Sequence, residues 1–179
     1  MDYQQVRESI INGSVVFFAP HTVLGRFIPL IGGGGVSHCG ITTWIRDSRG
    51  VKRLMLIEST VGGARLVNLS SYSNRKMIVV QPGLDWSSIE AYALDKTGFV
   101  PYAYTDFIWI ALRERLVKLR LYWLARKLPN ALGEVCSELV ADVLIASKKF
   151  NLYSTLLSPG DVLAFLRARA LPEIEISPA

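Results

Sequence analysis

Val15-Val16-Phe17-Phe18 is an unbroken apolar run directly after the turn-forming Asn12-Gly13-Ser14, and it reads as a buried strand. Residues 2–11 ahead of it read as a short helix. Four further stretches of strand length follow, at 37–45, 52–59, 64–69 and 76–81. Turn chemistry separates them: Asp47-Ser48-Arg49-Gly50, Gly62-Gly63 and Asn74. Side chains alternate along a strand, so His38, Gly40, Thr42 and Trp44 share one face, and Cys39, Ile41, Thr43 and Ile45 the other. Short strands with turns between them predict an antiparallel, meander-like sheet.

From residue 85 the period becomes helical. Asp85 is placed to cap a helix to about Lys96, with Gly98 as its stop. A long helix runs from about Thr105 to Leu128 and ends at Pro129-Asn130. The next carries Cys136 and runs to about Lys149. Ser158-Pro159-Gly160-Asp161 has the N-cap, proline and acidic order that opens a last helix over 159–170. Strands first and helices afterwards predict an α+β domain spanning 1–179. Between the first two strands lies an irregular segment with an apolar patch (Phe27, Ile28, Leu30, Ile31) and then Gly32 to Gly35. It reads either as a plain flexible loop or as a lid.

Composition narrows the class. The chain has 179 residues, half of them hydrophobic, which suits one domain with a sizeable core. Two cysteines do not make a disulfide framework, and nothing in the spacing favours a Cys39–Cys136 bridge. Met1-Asp2-Tyr3-Gln4-Gln5 lacks the features of a signal peptide, and no run of 18 apolar residues exists, so the expectation is a cytoplasmic protein or one exported by another route. The net charge of +5 permits attraction to anionic surfaces. It concentrates in the helix 106–128, where Arg113, Arg115, Lys118, Arg120, Arg126 and Lys127 face only Asp106 and Glu114. There Leu112, Leu116, Leu119 and Trp123 form an apolar stripe, so this helix either packs on the sheet or touches an anionic membrane. No nucleic-acid motif accompanies the basic residues, and no such partner is expected.

The chemistry centres on Cys136. Val135, Cys136, Leu139, Val140, Val143 and Leu144 recur at helical spacing, so one reading is a core cysteine. The other is a nucleophile, because the positive end of a helix favours the thiolate. A nucleophile needs a base and an orienter. Of the two histidines, His21 reads as a solvated loop residue and His38 opens a strand, looking outward from the sheet. A hairpin closed near Ser48 pairs residues whose numbers sum to about 96–98, which brings Glu58 across from His38 or diagonal to it. Glu58 sits beside the apolar run Leu54-Met55-Leu56-Ile57, where a carboxylate is costly unless it has a partner.

These pieces resemble the papain-like cysteine peptidases and amidases of the NlpC type, in their circularly permuted YiiX/YebB-like form. Asn12-Gly13-Ser14-Val15-Val16-Phe17-Phe18 is similar to the family's Gly-Asp-hydrophobic strand, and Ser37-His38-Cys39-Gly40-Ile41 to its His-Val-Gly-Ile strand. Leu56-Ile57-Glu58-Ser59 resembles the strand of the polar orienter, Gly98-Phe99-Val100-Pro101-Tyr102 the segment before the Cys helix, and Cys136-Ser137-Glu138-Leu139-Val140 the Cys-Ser-x-Leu-Val motif. Ser14 stands where the family has Asp, and Ala103 follows Tyr102 where it has Asp. The resemblance implies a Cys136–His38–Glu58 triad acting on amide bonds of small peptides such as cell-wall fragments. Tyr102 would be an oxyanion or substrate contact, and no metal or cofactor is needed. It leaves two alternatives: a lipid acyltransferase or thiol lipase of the lecithin–retinol acyltransferase-like kind, and a non-catalytic interaction module.

Overall fold

The computed structural model describes residues 1–21, 35–60, 63–97, 116, 120–125, 136–152 and 158–178. Tyr102, the apolar patch at 27–31 and most of the basic helix 106–128 lie outside them.

The predicted strands form β1 (Val15–Phe18), β2 (His38–Arg46), β3 (Lys52–Thr60), β4 (Gly63–Asn68) and β5 (Met77–Val80). A further strand, β6 (Glu173–Ile176), joins them in one antiparallel sheet of order β4-β3-β2-β1-β5-β6. The meander holds from β1 to β4. It fails at β5, which crosses over to the free edge of β1. No strand was expected near the C-terminus, although Glu173-Ile174-Glu175-Ile176 alternates as an edge strand should.

Both faces of the sheet are buried, which overturns the expectation that the His38 face looks outward. Val15, Phe17, Cys39, Ile41 and Ile57 lie under α4 (Cys136–Ala146), with α2 (Trp86–Asp95) and α5 (Pro159–Arg167) alongside. Val16, Phe18, Leu54, Leu56 and Val79 lie under Tyr3, Val6 and Ile10, supplied by α1 (Tyr3–Val6) and the turn after it. The cause is visible in β1, where all four side chains are apolar and a single buried face would have left two of them in water.

β2 is buttressed from the segment just before β1. Gly13 N–H donates to the Thr42 carbonyl at 2.8 Å, Thr42 N–H to Ser14 at 2.9 Å, and Trp44 N–H to the Asn12 side chain at 2.6 Å. Ser14 turns its hydroxyl back onto the Ile11 carbonyl at 2.7 Å. α4 packs across β2 and β3 and is tied to the end of α2 by Lys96 and Asp142 at 2.9 Å. The Ser158–Asp161 capping box opens α5, as its sequence order predicts. Asp85 takes the N-cap place of α2, but its carboxylate accepts from the Ser87 hydroxyl at 2.7 Å rather than from a helix N–H.

Of the long basic helix, α3 (Tyr122–Ala125) is described. Arg120 takes a positive φ of 59°, which breaks the helical run before Tyr122. Trp123, which the predicted stripe includes, is 61% exposed. No helix among the described residues is long and apolar enough to cross a membrane.

Candidate active site

The β2–β3 ladder runs from Arg46↔Lys52 to Ile41↔Ile57, a register whose numbers sum to 98, and pairing stops there. His38 and Glu58 lie just past the last rung, diagonal to each other. Their contact is direct: His38 Nε2 and Glu58 Oε2 are 2.7 Å apart. Between them Gly40 lets the strands close. A Cβ on Gly40 would stand 2.7 Å from the Ile57 carbonyl oxygen and 2.9 Å from Leu56 Cδ1, nearer than such atoms approach.

Glu58 has no solvent exposure, and its two oxygens are used differently. Oε2 meets His38. Oε1 accepts from Tyr72 Oη at 2.7 Å, Arg65 Nη2 at 2.8 Å and Arg65 Nε at 2.9 Å. Burial pushes the carboxyl up, but the hydrogen bonds and charges of His38, Tyr72 and Arg65 outweigh it and hold Glu58 down at about 2. Tyr72 is shifted up, by burial first and then by its bond to the carboxylate, so it stays a donor. Its ring and that of His38 both pack on Phe18, at centroid separations of 4.9 and 5.6 Å.

Three neighbours set the electrostatics of the Cys136 sulfur: the Cys39 thiol, the Cys39 backbone N–H and the His38 ring. Donation by Cys39 is the largest influence lowering the Cys136 thiol; burial opposes it, and the imidazolium charge of His38 adds to it. The net effect holds Cys136 well below the ordinary thiol range. Cys39 moves the other way, pushed up by burial and by its role as donor. For His38, burial favours the neutral ring, yet the Cys136 thiolate and then Glu58 raise it to about 9. Both directions favour the thiolate and the imidazolium, and Cys136 is 8% exposed and the His38 side chain 19%.

Of the residues singled out from the sequence, His38 and Glu58 come into direct contact, and Cys136 and His38 each shift the other's titration. Tyr102 lies outside the described residues, and His21 is exposed on the chain leading away from β1. Three neighbours were not anticipated. Arg65 faces Glu58 directly in the β3–β4 register, which the Gly62-Gly63 hairpin signals. Tyr72 sits in a 3-10 turn (Leu69–Tyr72) with no comparable signal. Cys39 lies on the core side as its parity predicts; its influence on Cys136 depends on how α4 docks.

No protein-family model and no curated protein sequence matches the chain. Among solved structures it matches one described as the metalloprotein yiiX from Escherichia coli O157:H7, of DUF1105. The identity is 17%, the TM-score 0.51, and the match covers 94% of this chain and 88% of that one. At that identity the likeness is one of fold. Among the described residues here, no group of three or more His, Cys, Asp and Glu side chains is arranged to hold a metal ion. The chain thus has an α+β fold like that of yiiX, and among its own described residues the sheet has six antiparallel strands.

Proposed function

We propose that this chain is a thiol hydrolase of amide bonds on a single permuted papain-like domain, with Cys136 as nucleophile, His38 as general acid and base, and Glu58 as orienter. The observation that carries the reading is the His38 ring bonded at 2.7 Å to a fully buried carboxylate, and the downward shift of the Cys136 thiol by the same ring supports it.

The steps follow from those contacts. The Cys136 thiolate attacks the substrate carbonyl, and the carbonyl electron pair moves onto oxygen. The tetrahedral intermediate collapses to a thioester as the His38 imidazolium hands its proton to the leaving amine. Neutral His38 then takes a proton from water, whose oxygen attacks the thioester, and the acid and thiolate are released. Glu58 holds Nε2, which leaves Nδ1 as the working nitrogen, and it supports the imidazolium charge. The backbone N–H of Cys136 and the hydroxyl of Tyr102 are the proposed oxyanion donors. Small peptides of the cell-wall kind are the proposed substrates.

The test is a panel of short amide and isopeptide substrates beside phospholipids and acyl esters, with wild type, Cys136→Ala and His38→Ala, and a thiol-directed probe in parallel. Amide turnover that disappears in both variants is expected. If Cys136 labels no faster than a free thiol and His38→Ala leaves that rate unchanged, the nucleophile assignment fails. Turnover of the phospholipids alone would move the reading to the acyltransferase class.

A further inference from the structure

Arg75 is a cation at the His38 end of the sheet, and its surroundings supply no anion for it. The turn after the 3-10 segment places it: Arg75 N–H donates to the Tyr72 carbonyl at 2.9 Å, and the next carbonyl, of Lys76, accepts from Ala19 N–H at 3.1 Å. The side chain reaches across the end of β1. Among the described residues its guanidinium makes one hydrogen bond, from Nη2 to the Ala19 carbonyl at 3.2 Å. Nε is buried and has no partner. Cζ lies 4.9 Å from the centre of the Phe18 ring and 5.5 Å from that of Tyr72.

Other arginines are built differently. Arg53, Arg65 and Arg167 each hold a carboxylate, that of Asp47, Glu58 and Glu173 in turn. Arg75 holds none among the described residues, and the segment 22–34 between β1 and β2 contains no Asp or Glu. Glu58 acts on Arg75 only through its charge, because both of its oxygens are occupied by His38, Tyr72 and Arg65. A cation drawn partly out of water is costly without a counter-ion, and the two aromatic faces offset only part of that cost.

Arg75 also shares a neighbour with the reacting ring. Phe18 pairs with His38 on one side and with Met77 on the other, and its ring centre is 5.6 Å from that of His38. The guanidinium and the imidazole are therefore separated by no more than the Arg75–Phe18 and Phe18–His38 distances laid end to end. That is a span of about three extended residues or fewer.

We propose that Arg75 is an anion subsite beside the reaction centre, which takes a carboxylate carried by the substrate within about three residues of the scissile amide. A planar guanidinium matches a carboxylate through two parallel N–H bonds, and Arg75 is partly exposed rather than sealed, so a small acid can reach it. As a substrate contact the subsite rests on the hydrolase reading; as a site for a carboxylate it does not.

The experiment is a titration of the isotope-labelled, full-length protein with N-acetylglycine, N-acetylglycinamide and inorganic phosphate. It is followed by magnetic resonance at the Arg75 Nε–H signal, which is assigned by its absence from Arg75→Lys. The signal should move saturably with N-acetylglycine, at a concentration roughly tenfold or more below any response to the amide. An equal response to acid and amide, no response to either, or a tighter response to phosphate would each overturn the proposal. Alkylation of Cys136 then reads the link to the reaction centre. N-bromoacetyl derivatives of glycine, γ-aminobutyrate and ε-aminocaproate are compared with their amides. The acids should react faster at one length or more, and Arg75→Met should reduce that excess; an excess that is absent, or unchanged in the variant, would remove the subsite from the reaction centre. If Arg75→Met does not fold, N-acetylglycine competing against the bromoacetyl acids in wild type gives the same reading. A signal that binds the acid beside an unreactive Cys136 would sink the hydrolase reading and leave the subsite, and a reactive Cys136 beside an unmoved signal would do the reverse.

Discussion

The two sides of the His38 ring are built differently. On one side Glu58 is sealed from water, with three donors on one oxygen and the imidazole on the other. On the other side the influences on the Cys136 thiol come from Cys39 and from the ring itself. A buried carboxylate is tolerable only while its partners remain, so the Glu58 side carries stability as well as chemistry. The Cys136 side can be altered without stranding a charge. Residues of one reaction centre therefore differ in what their loss does to the fold.

The largest expected effects divide along that line. Cys136→Ala should lower amide turnover by roughly 10⁴-fold or more, with about 1 kcal/mol or less lost from folding stability. Glu58→Ala should cost about 3–5 kcal/mol, because Arg65 and Tyr72 lose their acceptor along with His38. Urea unfolding of the two variants, read beside turnover, checks both. A Glu58→Ala protein as stable as wild type would erase the distinction.

Gly40→Ala sharpens it. The added methyl meets the Ile57 carbonyl at 2.7 Å, so β2 must move from β3 at the point where His38 meets Glu58. A loss of about 1–3 kcal/mol is expected from overpacking, together with a fall in turnover larger than that seen when Gly50, which has open space around it, is replaced by Asn.

The protonation states give a third test. Cys136 is held low and His38 up at about 9, so the rate of Cys136 alkylation should already be high at neutral pH, and turnover should fall as pH rises through about 9. In His38→Ala the midpoint of the alkylation profile should move up, part of the way toward the ordinary thiol range near pH 8.5, because the Cys39 influence remains. For stability the sign is opposite on the carboxylate side. Glu58 is depressed from 4.5 to about 2, so what it contributes is present above pH 4.5 and lost as pH falls toward 2. Glu58→Gln should flatten that acid limb in unfolding experiments.

Strand parity and turn spacing made part of this centre legible beforehand. One even register sum was enough to put His38 and Glu58 on the same face, because a hairpin links the two strands and leaves few alternatives. The burial of that face was not legible, since no local period shows that the segment of Tyr3, Val6 and Ile10 ahead of β1 folds back over it. The same holds for Cys136 and Cys39, which no local period relates. The β5 crossover was hidden for a further reason: a 3-10 turn follows β4 where a tight hairpin would have continued the meander.

The smallest expected effect comes from Arg65, and its sign is informative. The Arg65 side chain is 54% exposed, and two of its nitrogens share one Glu58 oxygen with Tyr72. Arg65→Met should therefore lose less than about 1 kcal/mol, since solvent screens the pair and Tyr72 still donates. Tyr72→Phe should cost about 1.5–3 kcal/mol, the range for a hydrogen bond to a charged group, although no charge is removed. On His38 the order reverses. Taking away the Arg65 cation leaves the Glu58 charge less compensated, which favours the imidazolium, so the fall in turnover near pH 9 should move to higher pH. Tyr72→Phe removes a neutral donor and should leave that limb nearly in place. A pH–rate profile for each variant reads the difference, and a limb that moves with Tyr72 but not with Arg65 would mean that hydrogen bonding, rather than charge, links the outer oxygen of Glu58 to the reacting side of His38.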